Sequence, residues 1–116
     1  MNTLKRTYLG LMTAGILIAP LLVSTQAAAD ELALAKKSGC MACHSVEKKI
    51  VGPAWRDVGK HYQGDAGARD ALIVKVKTGG KGNWTKVTGG VPMPPYSPRV
   101  SDADIAKLVD FILSLN

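Results

Sequence analysis

The chain has 116 residues and a formal net charge of +6, from 15 basic and 9 acidic side chains. This length is sufficient for one small domain, which is only marginally stable unless a disulfide, a metal or a cofactor contributes to its core. The basic residues form no run of like charge, so the charge balance favours an acidic protein partner over nucleic acid.

The first part of the chain has the features of a secretory signal. Two basic residues precede an apolar run over residues 9–23, and three alanines ending at Ala29 provide the small side chains that a signal peptidase requires. We therefore predict a signal peptide at residues 1–29 and one mature domain at residues 30–116. Glycine and proline interrupt the apolar run, which is short for a membrane span, so an uncleaved anchor is the less favoured alternative.

Three helices are predicted in the first part of the mature domain. The first begins at Asp30, a favourable N-cap, and ends before Gly39. The second covers residues 53–62 and starts with a proline, which suits the first turn of a helix. The third covers residues 66–78, with Asp65 as its cap.

The last helix has the clearest sequence pattern. Ser101 is its expected N-cap, and apolar residues then recur at helical spacing: Ile105, Leu108, Val109, Ile112 and Leu115. Residues 79–100 are rich in glycine and proline, which predicts an irregular loop. Because long loops in compact domains usually have a function, this loop is a candidate part of a binding site.

The residues Cys40, Met41, Ala42, Cys43 and His44 form the pattern C-x-x-C-H, the attachment signature of c-type haem. In such sites the two thiols form thioethers with the porphyrin vinyl groups, and the histidine is an axial ligand of the iron. Two intervening residues allow both sulfurs to reach neighbouring vinyl groups from one turn of chain. We therefore predict one covalent haem c, attached through Cys40 and Cys43 and ligated by His44.

Three other interpretations of the cysteine pair fit the chain less well. A tetrahedral zinc site would require all four cysteine and histidine residues of the mature chain, including the adjacent Cys43 and His44. A thioredoxin-like pair is expected in a βαβ context, whereas this chain predicts helices. A disulfide between Cys40 and Cys43 would close too small a loop to stabilise the domain much.

The second axial ligand of the iron has three main candidates, besides weaker oxygen or nitrogen donors. Met41 lies between the attachment cysteines and cannot reach across the ring, and His61 is on a helix where a partly exposed surface position is more common. Met93 lies in the sequence Val-Pro-Met-Pro-Pro, where three prolines restrict the backbone around a flexible thioether. We favour Met93 as the ligand. The alternatives are a methionine that only packs in the core, or ligation by His61, which would lower the reduction potential.

Four segments in this order resemble the short monohaem class I cytochromes c of bacterial periplasms: residues 37–44, 51–54, 92–95 and 100–102. The resemblance extends over residues 30–116. It implies an all-α class I cytochrome c fold, with about four short helices around one covalently bound haem. It also implies a location in the periplasm.

The resemblance implies roles for further residues. Pro53 matches the family proline whose carbonyl accepts a hydrogen bond from the proximal imidazole. Trp84 and Lys75 match a tryptophan and a basic residue that bind a haem propionate, with a core indole and a solvated helix charge as the alternatives. Gly39 is expected to allow the terminal helices to approach each other closely where they cross.

The chain departs from the family pattern in one region. Residues 85–92 are more numerous than in the short relatives, and Tyr96 stands where relatives commonly have an asparagine that hydrogen-bonds near the ligand sulfur. These differences leave open the contact of Trp84 and the hydrogen bonding of Met93. Ligation by Met93 is still expected.

The resemblance implies a periplasmic one-electron carrier, and not an enzyme, since a six-coordinate iron has no free position for a substrate. Expected partners are a cytochrome bc1-type donor and a nitrite reductase, peroxidase or terminal oxidase as acceptor. The protein is expected to be a monomer that meets these partners through an exposed haem edge near Lys48 and Lys49. Neither nucleic-acid binding nor stable membrane insertion is expected. There are two alternatives. One is a haem enzyme or gas-binding protein, in which Met93 does not bind the iron, and the other is a subunit of a larger oxidoreductase.

Overall fold

A computed structural model of the protein describes residues 23–116. This part of the chain contains five α-helices: α1 (Val23–Lys37), α2 (Trp55–His61), α3 (Ala68–Thr78), α4 (Thr85–Thr88) and α5 (Asp102–Leu113). Two single 3-10 turns, Cys40–Ala42 and Gly82–Trp84, follow α1 and precede α4. Pairing of extended backbone within the described residues is limited to one bridge between Gly80 and Met93, so the predicted all-α fold class is confirmed. None of these helices is long and apolar enough to cross a membrane.

Helix α5 lies at the centre of the packing and contacts α1, α2 and α3. Its predicted apolar face is buried through four residues: Ile105, Leu108, Val109 and Ile112. Burying each such side chain contributes roughly 1.5–3 kcal/mol to folding. Ser101 Oγ accepts a hydrogen bond from the backbone N–H of Asp104 (3.1 Å), which confirms the predicted N-cap.

Helix α1 begins at Val23, before the predicted start at Asp30. Asp30 lies inside the helix, where Gln26 Nε2 donates to its carboxylate (3.2 Å), so the predicted N-cap is wrong for this chain. The alanines and the glutamine before Asp30 are good helix formers, and the helix therefore continues through them. It runs across the predicted cleavage position. The signal boundary stays a prediction, and residues 1–22 lie outside the described residues.

Helices α2 and α3 begin two residues later than predicted, at Trp55 and Ala68. The shift of α3 has a local cause, because Asp65 Oδ1 accepts a hydrogen bond from the backbone N–H of Gly67 (2.9 Å) and forms a turn before the helix. The prediction that residues 79–100 form an irregular loop is wrong in part. This segment contains the second 3-10 turn and the single turn of α4.

Two glycines show how the helices approach one another. Gly39 follows α1 with a φ of +84°, and no atom lies within 4 Å of the position that its Cβ would occupy. Its expected role in close helix approach is therefore wrong, and the residue instead supplies the left-handed conformation that follows the helix. Close approach occurs at Gly59 of α2, where a Cβ would lie 2.8 Å from the carbonyl oxygen of Ile112 in α5.

Candidate haem-binding site

One cavity in the described part of the chain brings together the residues that were predicted to form the site: Cys40, Cys43, His44, Pro53, Lys75, Trp84 and Met93. Helices α2, α3 and α5 supply apolar wall residues: Trp55, Val58, Leu72, Val76, Leu108, Val109 and Ile112. The empty volume is about 1070 Å³, including the part that opens to solvent. Most of the side chains around this space are apolar, so the cavity suits an apolar group.

The first part of the site is the turn that follows α1. The backbone N–H groups of Cys43 and His44 both donate to the carbonyl oxygen of Cys40, at 3.3 and 3.1 Å, so these residues form one tight turn. Cys40 and Cys43 are not joined by a disulfide, and both side chains line the cavity. Burial raises the pKa of the Cys40 thiol, as expected for a side chain that faces an apolar space. The turn thus presents two thiols and an imidazole to the same space.

His44 has a defined tautomer. Its Nδ1 lies 2.9 Å from the carbonyl oxygen of Pro53, and because a carbonyl oxygen only accepts, Nδ1 carries the proton. The contact that the family resemblance implies for Pro53 is therefore present. Burial lowers the pKa of His44, against the smaller opposing effect of this hydrogen bond, so the imidazole is neutral at neutral pH. Its Nε2 keeps a lone pair that is available to a metal.

The segment that follows the motif holds the His44 ring in place. The backbone N–H groups of Val51 and Gly52 donate to the carbonyl oxygen of Cys43, at 3.2 and 2.8 Å. A Cβ on Gly52 would lie 2.8 Å from His44 Nδ1 and 2.9 Å from Nε2, so glycine is required to leave room for the ring. Trp55 stacks against the imidazole, with 5.9 Å between ring centroids. The orientation of His44 is therefore determined within one short segment.

Met93 reaches the cavity through a contact that the sequence did not predict. Its backbone N–H donates to the carbonyl oxygen of Gly80 (3.0 Å), and the N–H of Gly80 donates to the carbonyl oxygen of Met93 (2.8 Å). Gly79 lies against the same backbone with a φ of +70°, and a Cβ there would overlap the Met93 carbonyl group. The end of α3 therefore positions the proline-rich segment, and the half-buried Met93 lines the cavity.

Polar side chains line the cavity near α4. Lys75 Nζ lies over Gly82, at 2.9 Å from the position that a Cβ on this glycine would occupy. Trp84 and Thr88 are four residues apart, which places them on one side of a helical turn, and both line the cavity. Lys81 lines it as well. Sequence reasoning missed Lys81 and Thr88; the spacing between Trp84 and Thr88 was a usable signal only if this segment was recognised as helical.

The other two candidate ligands, His61 and Met41, do not line the cavity. The exposed His61 ring contacts the rings of Tyr62 and Trp84, with centroid distances of 4.7 and 5.2 Å. Met41 packs against the core from the turn after α1. The geometry therefore favours Met93 over both of them.

Tyr96, which stands where relatives commonly have asparagine, is 6% exposed and lines the cavity. Its backbone N–H donates to the carbonyl oxygen of Val76 (3.1 Å), and the Arg99 guanidinium lies 4.6 Å from the centre of its ring. Burial raises the pKa of Tyr96, so its phenol is protonated at neutral pH. The tyrosine is thus accommodated as a packed wall residue.

The residues of the cavity fit a covalently attached haem. The porphyrin is a large apolar plate, its iron binds imidazole nitrogen and thioether sulfur, and its propionates are anionic. The cavity provides apolar walls, two thiols, an imidazole with a free Nε2, a thioether and two lysines. The class of protein defined by this fold and site is therefore a small helical haem protein of the C-x-x-C-H type.

The family model for cytochrome c matches residues 29–116, and the chain belongs to the cytochrome c family. Cytochrome c-551 of Allochromatium vinosum is 56% identical to it over 93 residues, which cover 80% of this chain and 93% of that protein. Cytochrome c-552 of Nitrosomonas europaea is 44% identical over 112 residues, which cover 97% of this chain and 99% of that protein.

Solved structures agree with this assignment. The crystal structure of wild-type Nitrosomonas europaea cytochrome c552 matches with a TM-score of 0.66 and 46% identity, over 73% of this chain and 99% of that one. Class 1 cytochrome MtoD from Sideroxydans lithotrophicus ES-1 matches with a TM-score of 0.60 and 31% identity, over 79% and 96% of the two chains. The class I cytochrome c fold is confirmed, with five described helices where about four were predicted. The chain is a covalent haem c protein and an electron carrier, not an enzyme.

Proposed function

We propose that this cytochrome c is a periplasmic carrier whose haem iron is held between His44 Nε2 and Met93 Sδ. The observation that carries the proposal is that both side chains line one cavity, although α2, α3 and α4 separate them in sequence. The bound haem supplies reversible one-electron exchange at its iron. The side chains of the protein orient the group, exclude water from it and adjust its potential.

The two proposed ligands favour electron transfer for different reasons. The neutral His44 imidazole offers Nε2 because its Nδ1 proton is engaged with the Pro53 carbonyl. The thioether of Met93 is a soft, uncharged ligand, which stabilises ferrous iron and gives a positive potential. With both axial positions taken by side chains, no position remains for a substrate. This ligand set supports a carrier over a gas-binding protein.

The mouth of the cavity is the proposed surface for electron exchange. Val51 and Val91 line the cavity and are 39% and 50% exposed. Lys48 and Lys49 are exposed in the loop that leads to Val51. A small apolar contact flanked by basic side chains favours brief complexes with acidic partners, which must dissociate quickly for a carrier to turn over.

The proposed partners are a cytochrome bc1-type donor and a nitrite reductase, peroxidase or terminal oxidase as acceptor, met by a monomer in the periplasm. The support for this location is the predicted signal at residues 1–29. N-terminal sequencing of the holoprotein from a periplasmic fraction is expected to start at Asp30. A chain that keeps its first residues and stays in the membrane fraction would contradict the proposed location.

The ligand proposal is tested by the spectrum of the ferric holoprotein. Met93→Ala should abolish the long-wavelength methionine-to-iron charge-transfer band and lower the potential, within the range of roughly 0.8 V that axial ligands can set. Met41→Ala is the matched control, because Met41 does not line the cavity. It should keep the band. Loss of the band in Met41→Ala, or its survival in Met93→Ala, would contradict the assignment.

Carbon monoxide separates the carrier from a gas-binding or catalytic haem protein. The untreated ferrous protein should resist carbon monoxide, whereas Met93→Ala should bind it readily because its sixth position is open. Rapid binding by the unchanged protein would show that the thioether does not occupy the iron. That result would favour the alternative class.

A further inference from the structure

We propose that the Thr88 hydroxyl donates a hydrogen bond to a propionate of the haem, so that helix α4 contributes a polar contact to the cofactor. This proposal rests on the proposed seating of the haem between His44 and Met93. It adds a residue that neither the sequence pattern nor the family resemblance assigned. The helix that carries Thr88 lies within the segment predicted to be an irregular loop.

The first observation is an unsatisfied hydroxyl. Thr88 Oγ1 is buried, and among the described residues it is the only buried side-chain nitrogen or oxygen atom without a hydrogen-bond partner. Leaving such a group unpaired costs about 1–3 kcal/mol, and native proteins rarely accept that cost. Thr88 also lines the cavity. The missing partner is therefore expected on the molecule that fills the cavity.

The second observation is the chemistry of the side chains around Thr88. Lys75, Lys81 and Trp84 line the same cavity. Ammonium groups and the indole N–H donate hydrogen bonds but cannot accept them. No Asp or Glu of the described residues lines this cavity. Thr88 therefore has no acceptor among these neighbours, and the group of four donors suits an anionic acceptor.

The placement of these donors supports one shared acceptor. Trp84 and Thr88 lie one helical turn apart, so the indole and the hydroxyl face the same side of the segment. Lys75 Nζ lies over Gly82, in the 3-10 turn that leads into this helix. The donors thus come from the end of α3 and from the segment that contains α4.

Haem offers one strong kind of acceptor to such a group. The edge of the haem is mostly hydrocarbon, and its strong hydrogen-bond acceptors are the carboxylates of the two propionates. The cavity lining also offers two uncharged side-chain acceptors, the thioether of Met93, which accepts hydrogen bonds weakly, and the neutral phenol of Tyr96. A hydrogen bond to an ionised carboxylate is shorter and about twice as strong as one between neutral groups. The carboxylate is therefore the partner that best compensates burial of the Thr88 hydroxyl.

The test uses three variants of the holoprotein. Thr88→Val removes the donor and keeps the shape of the side chain, and Thr88→Ser keeps the donor in a smaller side chain. Thr85→Val is the matched control, because Thr85 is an exposed threonine in the same turn. The readouts are the propionate bending modes in the resonance Raman spectrum and the pH at which the midpoint potential changes as the propionate is protonated.

Thr88→Val should shift a propionate bending mode and move the pH inflection upwards, because loss of a donor raises the pKa of a carboxylate. Thr88→Ser and Thr85→Val should match the unchanged protein in both readouts. Lys75 and Lys81 are kept in all three variants, so a change in Thr88→Val alone is due to the Thr88 hydroxyl. If Thr88→Val leaves both readouts unchanged, the proposal is wrong. A shift of the methionine charge-transfer band alone would assign the hydroxyl to Met93 and also overturn it. If a variant keeps attached haem and the methionine charge-transfer band, the proposed position of the haem between His44 and Met93 stands, whether or not the Thr88 proposal is correct.

Discussion

The two sides of the haem site are built in different ways. On the side of His44, the partners lie within one short segment, in which Pro53 and the backbone of Val51 and Gly52 hold the ring and the motif. On the side of Met93, the partner is Gly80, which lies beyond the end of α3 and is joined to Met93 by a bridge across the intervening loop. The first side can form locally, whereas the second requires a folded neighbour. Closing that loop has an entropy cost that the bridge and the bound haem must offset.

The largest expected effect comes from removing the attachment chemistry that both sides share. The double variant Cys40→Ala and Cys43→Ala should retain no haem on a denaturing gel stained for haem, and it should lose most of its helical circular dichroism, because the cavity at its core is left unfilled. Met41→Ala, a change within the same motif, should keep the haem. Haem retained by the double variant would contradict covalent attachment through these thiols.

The next effect is expected on the side of Met93. Gly79→Ala should destabilise the holoprotein by about 1–3 kcal/mol for its backbone, because φ +70° with ψ −155° is open almost only to glycine, and by a further 1–3 kcal/mol or so for the overlap with the Met93 carbonyl group. Gly89→Ala is the control, because Gly89 has a positive φ in the left-handed helical region (φ +64°, ψ 23°) and has no atom within 4 Å of its Cβ position.

Guanidinium unfolding measures the stability of both variants, and the methionine charge-transfer band reports whether Met93 still binds the iron. Gly79→Ala should weaken the band, and Gly89→Ala should leave it unchanged while losing only the roughly 1–2 kcal/mol of a left-handed backbone. Equal losses of stability with an intact band in both would show that the contact with Gly79 does not position the methionine.

A smaller effect is expected on the side of His44. Gly52→Ala should cost about 1–3 kcal/mol because its Cβ competes with the imidazole for space. Gly67→Ala is the control, since its Cβ would meet only an ordinary contact, 3.5 Å from Asp65 Oδ1. Proton NMR of the His44 ring N–H should change in Gly52→Ala alone. An unchanged resonance in Gly52→Ala would show that the ring has more freedom than the structure indicates.

The smallest effects are expected from exposed ion pairs. Arg56 binds Glu47 in the loop after the motif, and Arg69 of α3 binds Asp110 of α5, each at 2.7 Å. Hydrogen bonds from the arginines lower the pKa of both carboxyl groups. Their stabilisation is therefore present above the ordinary carboxyl pKa and is lost as pH falls through the lowered folded pKa.

Thermal unfolding of Glu47→Gln and Asp110→Asn measures these contributions. Each variant should lose a small amount of stability at neutral pH, and the difference from the unchanged protein should vanish in strong acid and in about 1 M salt. A difference that persists in acid would mean that the loss arises from packing and not from charge.

Sequence patterns were sufficient where the relevant contacts are local. The apolar spacing after Ser101 predicted α5 and its N-cap, because an amphipathic helix and its cap are encoded within a few residues. The start of α1 was missed because Asp30 is a good cap but the residues before it are also good helix formers. The turn of α4 was missed because glycine and proline on both sides of it favoured an irregular loop.

The sequence alone determined that Cys40, Cys43 and His44 lie on one turn and favoured Met93 as the second ligand, and the family resemblance pointed to Pro53. Only the tertiary structure decided how Met93 comes to the same cavity and that Thr88 joins it. The physical reason is the range of the interactions. Attachment and imidazole orientation depend on neighbours in the chain, whereas the bridge to Gly80 and the buried hydroxyl exist only when α3, α4 and the proline-rich segment have packed together.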